Sequence, residues 1–113
     1  MTITQIEAMG LTLVIEGVTA AGLAPLFRLD RASCILSAML ASTLTHPILW
    51  AVFYPSQALF GTLTTPVLEI FVFLAEAPAY RLLTKCRWDD ALLFSLLANA
   101  ASWAAGELIY ALA

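Results

Sequence analysis

Residues 16–51 and 69–104 align without a gap at a spacing of 53 residues. Glu16, Pro25, Arg28, Ser42 and Trp50 recur as Glu69, Pro78, Arg81, Ser95 and Trp103, and Phe27/Tyr80 and His46/Asn99 are near matches. The chain holds only three Trp, five Pro and five Lys plus Arg, so apolar bias alone does not produce these pairs. A repeated unit this long implies a structure of two related halves. Polar residues paired by the repeat are then expected to meet near a pseudo-twofold axis.

What each half is made of follows from composition. Hydrophobic residues make up 62% of the chain and charged residues 12%. Soluble domains carry about 45–50% apolar and about 25% charged residues, so this chain cannot build a water-facing surface. The expected partner is the lipid bilayer, and residues 1–113 form a single transmembrane domain.

A spanning helix needs about 20 apolar residues, and four segments qualify. The first is Thr4 to Phe27, ended by Pro25 and Arg28. The second is Ser33 to Tyr54, capped by Ser33 and stopped by Pro55. The third is Ala58 to Tyr80. The fourth is Asp89 to Leu112, with Asp89 and Asp90 at the positive end of the helix dipole. The expected fold class is an all-α integral membrane protein. Its four transmembrane helices form two parallel-repeat helical hairpins, residues 4–54 and 58–112, around a pseudo-twofold axis along the membrane normal.

Every base lies in one of two connections: Arg28 and Arg31 in the first, Arg81, Lys85 and Arg87 in the other. The positive-inside rule places both in the cytoplasm and both termini outside, as in a multi-pass protein of the bacterial inner (plasma) membrane. Trp50, Phe53, Tyr54, Phe60, Trp103 and Tyr110 then mark the outer boundary, and Phe27, Tyr80 and Trp88 the inner one. The start, Met1 to Glu7, has no positive n-region and reads as part of a retained helix. Cys34 and Cys86 belong to no ligand spacing and face the reducing side, which fits inert small residues. Five bases form no nucleic-acid footprint.

Glu16 and Glu69 fall near mid-depth, each 12 residues from its repeat arginine, or about 18 Å along a helix. An acid at the centre of a span costs about 2.5–3.5 kcal/mol, and no base lies at that depth. The carboxyls are therefore protonated, hold a cation, or face a hydrated cavity; the structural alternative is neutral struts between helices. Glu76, seven residues past Glu69, shares its face and has Arg81 within reach of a local salt bridge. Glu107 lies toward the outer end. Ser95, Asn99, Ser102 and Gly106 share one face of the last span. Ser42, Thr45 and His46 match them in the second.

The candidate binding residues are thus Glu16, Glu69, His46, Asn99, Ser42, Ser95 and Glu76. Two carboxylates, an imidazole and an amide suit a divalent cation in ligand type, but their spacing fixes no geometry, so the metal question stays open. His46 can also relay protons. Pro47 frees the carbonyl of Thr43, which can join the site. No HExxH, GxSxG, GxGD or glycine-rich phosphate loop occurs, so no enzyme activity and no cofactor are expected. The leading expectation is a protein that binds or transports a small cation or cationic solute, with proton coupling. Four helices enclose little volume, which favours a homo-oligomer. The alternative is a non-transporting accessory or assembly subunit of a larger membrane complex.

Overall fold

The structure, a computed structural model, describes residues 4–112, with the side chain of Tyr110 outside the described set. The described residues form helices joined by short turns, without a strand: α1 (Gln5–Leu23), α2 (Arg31–Phe60), a 3-10 turn (Gly61–Leu63), α3 (Thr64–Thr84) and α4 (Trp88–Leu112). Three helical stretches, Gln5–Leu23, Arg31–Thr84 and Trp88–Ile109, are long and apolar enough to cross a membrane.

The helix ends follow local chemistry. Thr4 caps α1 by accepting the Glu7 amide at 3.1 Å. The cap of α2 is Asp30, not Ser33 as expected from sequence. The Asp30 carboxylate accepts the Ser33 amide at 2.9 Å and the Ser33 hydroxyl at 2.8 Å. Ser33 is therefore the capped residue, three positions into the helix. The amide bond first, then the hydroxyl bond, holds the Asp30 carboxyl below its ordinary value. Arg31 Nε donates to the Ala21 carbonyl at 3.1 Å, satisfying one of the free acceptors at the end of α1.

Pro55 does not stop α2, which continues through Pro47 and Pro55 to Phe60. Ala58, expected to open the third span, therefore belongs to α2. A proline inside an apolar helix removes one backbone bond without ending the helix when its surroundings meet the loss. The stop is Gly61, with φ 56° and ψ −124°, a backbone region open to glycine and closed to side chains. The Thr64 hydroxyl donates to the Gly61 carbonyl at 2.7 Å and closes the turn. The helical run Arg31–Thr84 has 54 residues, about 81 Å if straight at 1.5 Å per residue. The longest extent of the molecule is 39 Å, so the run folds back, and α2 and α3 pack side by side. Gly61→Ala is expected to destabilise by about 1–3 kcal/mol, read as a lower unfolding midpoint in detergent. Gly22→Ala, on an exposed helical face with open space at its Cβ, is the control and should be neutral or slightly stabilising.

Each helix packs on two others: α1 on α2 and α4, and α3 on α2 and α4. The interior of this ring is small and polar. Ala20, Ala24, Ala38, Ala41, Ala77, Ala91 and Ala98 are buried, together with Glu16, Ser37, Ser42, His46, Thr64, Glu76, Ser95 and Asn99. Large apolar side chains point outward instead, among them Val18, Leu44, Ile48, Leu59, Leu82 and Leu108. Such a surface is unfavourable in water and matches lipid, where close approach through small residues and interhelical hydrogen bonds hold helices together. Gly17 is one such approach, where an added Cβ would meet Met39 at 3.4 Å.

At the end carrying both basic connections the ring is closed. Ala20, Ala24, Cys34, Ala38, Tyr80, Cys86, Ala91 and Phe94 form one buried cluster, with Leu23, Phe27 and Leu29 packed on it. Tyr80 lies on Phe94 at 4.8 Å between centroids, and Phe27 meets Phe94 edge-on at 5.2 Å. Arg28 and Lys85, at the turns after α1 and α3, both take the left-handed conformation, with φ 57° and 58°. These two residues are 57 positions apart, as are the starts of α2 and α4. At these points the spacing exceeds that of the sequence alignment by four residues, about one helical turn.

Candidate functional site

A partly open cavity of about 220 Å³ lies inside the ring, above the aromatic closure. It runs from a buried polar layer toward the start of α1, at Ala8 and Leu11, and the end of α4, at Gly106 and Glu107. Of the residues expected to form a site, Glu16, Ser42, His46, Glu69, Glu76 and Asn99 line it. Ser95 does not. Its hydroxyl donates to the Phe73 carbonyl at 2.7 Å, which ties α4 to α3 behind the cavity.

Two buried carboxyls form the deep layer. Glu16, from α1, is 3% exposed and accepts the Ser42 hydroxyl of α2 at its Oε2. Glu76, from α3, is 1% exposed. Its Oε2 accepts the Thr45 hydroxyl of α2 at 2.7 Å and its Oε1 accepts the Asn99 amide of α4 at 2.9 Å. Asn99 also donates to the Ser95 carbonyl at 2.8 Å, which fixes its side chain. All four helices thus meet at one level through side-chain hydrogen bonds. None of these partners is a base.

The repeat pairs Glu16 with Glu69, but the bonded layer pairs it with Glu76. Glu16 stands seven residues before the end of α1, and Glu76 eight before the end of α3. Ser42 and Asn99 each stand 11 residues after the start of their helix. Glu69 lies nearer the mouth, half-buried, and accepts no side-chain hydrogen bond among the described residues. The second half therefore brings Glu69, Glu76 and Glu107 to the cavity and the first half Glu16.

Two local expectations change. Arg81 makes no salt bridge to Glu76, which is already bonded by Thr45 and Asn99; its guanidinium lies 5.9 Å from the centre of the Trp88 ring. The ion pair found among the described residues, Arg87–Asp89 at 3.3 Å, is exposed and contributes little. Thr43, whose carbonyl Pro47 frees, is exposed and does not line the cavity, and its hydroxyl turns back to the Met39 carbonyl at 2.6 Å.

Three features of the site were not among the candidate binding residues. Thr45, from a matching polar face, is the bond between α2 and Glu76. Trp50 and Trp103, read as boundary aromatics, form part of the cavity wall. Each lies four residues past His46 or Asn99, on the same helical face, and that spacing was the available signal. Tyr80 is fully buried in the closure below, and its hydroxyl has no hydrogen-bond partner. His46 Nε2 is likewise buried without a partner.

No group of three or more His, Cys, Asp or Glu suited to hold a metal ion occurs among the described residues. Cys34 and Cys86 are free and buried. Comparison with protein families, curated proteins and solved structures finds no match to the chain.

Proposed function

We propose that the chain crosses the membrane four times and binds a small cationic solute in this cavity, releasing protons from its buried acids as the solute enters. The observation that carries the reading is the pair Glu16 and Glu76. Both are buried at the floor of a cavity, both are hydrogen-bonded by neutral donors, and neither has a base as partner. Two carboxyls this deep do not both ionise without compensating positive charge. A proton or a cationic solute supplies it, and exchange of one for the other is the basis of coupled binding.

The fold-back at Gly61 supports the count of four spans, because it divides Arg31–Thr84 into two helices of 30 and 21 residues. The two hairpins, α1–α2 and α3–α4, then enter from the same side as parallel repeats about an axis along the membrane normal. The positive-inside rule sets both basic connections in the cytoplasm of a bacterial cell and both termini outside. In that orientation the cavity faces out and the Phe27–Tyr80–Phe94 closure faces in. Single cysteines at Leu29 and Lys85, in a background with Cys34 and Cys86 replaced by Ala, should be labelled only from the cytoplasm. Labelling of either from outside in intact cells would overturn the topology.

The functional test is proton release from the purified chain on titration with small inorganic and organic cations. Saturable release from this protein alone, in liposomes or detergent, is the expected result. Absence of any response, with a larger membrane protein co-purifying in fixed ratio, would instead assign the chain an accessory or assembly role.

A further inference from the structure

We infer that the solute is a primary ammonium ion carrying a short apolar tail; this deepens the cationic-solute reading and rests on it. The inference comes from a buried imidazole nitrogen that the protein leaves unbonded. His46 is 8% exposed, lines the cavity, and its Nε2 has no hydrogen-bond partner. A buried polar atom left unpaired is costly, and this one belongs to a residue of the cavity wall, so a ligand whose group reaches it there supplies the missing bond. The same cavity holds the carboxyls of Glu16, Glu69 and Glu76. Carboxylates are acceptors, and so is Nε2 when the imidazole proton sits on Nδ1, so together they ask for a ligand that is positive and rich in N–H donors.

That requirement separates the cation classes. A quaternary ammonium ion has the charge and no N–H, and would leave Nε2 unpaired. An alkali ion finds oxygen ligands in the carboxylates but has no N–H for Nε2. A primary ammonium group has three donors on one centre, enough for two carboxylates and the imidazole nitrogen. The rest of the cavity suits the rest of such a molecule. Leu11, Ile15 and Leu49 give apolar walls, and Trp50 and Trp103 add aromatic surface. The Trp103 indole N–H donates to Glu107 at 3.3 Å, which restrains that ring. At about 220 Å³ the space exceeds what a bare ion needs. It also falls below the range of about 300–1,000 Å³ usual for larger organic ligands.

In the bound state the ammonium group sits at the deep end among His46, Glu76 and Glu16, and the tail lies toward the two tryptophans. The site selects for N–H donors at its floor and for modest length at its mouth.

The test is binding of two probes to the full chain in lipid nanodiscs: n-butylammonium, and its trimethylated counterpart n-butyltrimethylammonium. Trp50 and Trp103 provide a fluorescence readout. Butylammonium should bind at least tenfold more tightly than the trimethylated compound, the difference expected of a charge-assisted hydrogen bond. His46→Leu should remove most of that preference, and His46→Gln, which keeps an acceptor, should retain it within a few-fold. Equal or tighter binding of the trimethylated probe overturns the inference while leaving the cationic-solute reading intact, and so does an unchanged preference in a folded His46→Leu protein. If neither probe binds and potassium and sodium also give no response, the cationic-solute reading itself falls. The comparison of probes on the unmodified chain decides the question even where the His46→Leu variant fails to fold.

Discussion

Glu76→Gln should abolish solute-linked proton release and weaken solute binding by about 30-fold or more, whereas Glu69→Gln should weaken it only a few-fold. Removing one charged partner of a buried, hydrogen-bonded charge pair costs about 2 kcal/mol or more. Glu76 is 1% exposed and takes bonds from two helices, while Glu69 is half-buried near the mouth. Gln keeps the size of the side chain and an acceptor for Asn99, so the protein should still insert and fold. Glu16→Gln should resemble Glu76→Gln, since it too removes a buried acid while leaving a partner for Ser42. Calorimetric titration with simultaneous pH recording checks all three variants. A larger loss in Glu69→Gln than in Glu76→Gln would move the site toward the mouth and refute the assignment.

Tyr80→Ala should destabilise the protein by about 3–5 kcal/mol, the range for emptying a buried aromatic position, and should let protons leak across liposomes. Tyr80 is fully buried and packs on Phe94, and the cluster around them is what separates the cavity from the basic end of the molecule. Tyr80→Phe should do the reverse of Tyr80→Ala. It keeps the ring contacts and removes a buried hydroxyl that has no hydrogen-bond partner, so stability should be unchanged or slightly raised. Unfolding in detergent and the decay of a trapped pH-sensitive dye read the two effects separately. A clear loss of stability in Tyr80→Phe would show that the hydroxyl is bonded, through water or solute, and belongs to the site.

The amino-acid sequence determined the class of this protein by itself. Its apolar stretches are too long and too nearly uncharged for a water-facing fold. In lipid a backbone can satisfy its own hydrogen bonds only as a helix or in a closed barrel, and segments of about 20 residues select the helix. That the acids, His46, Ser42 and Asn99 line a cavity was foreseeable for the same reason, since polar groups in such stretches are expensive and turn inward. Depth in the bundle was not legible. It depends on where each helix ends, and those ends were set by particular contacts: Asp30 capping α2 in place of Ser33, α2 running past Pro55, and Gly61 making the turn. The sequence repeat runs at 53 residues, while α2 and α4 start 57 apart and α1 and α3 end 61 apart. A slip of one turn, or of two as between Glu69 and Glu76, nearly preserves which face of a helix points inward but changes the layer at which each side chain arrives. Spacing along the chain therefore matched Glu16 with Glu69, and only the packed structure brought Glu76 to its level, because hydrogen bonds form between side chains that share a depth.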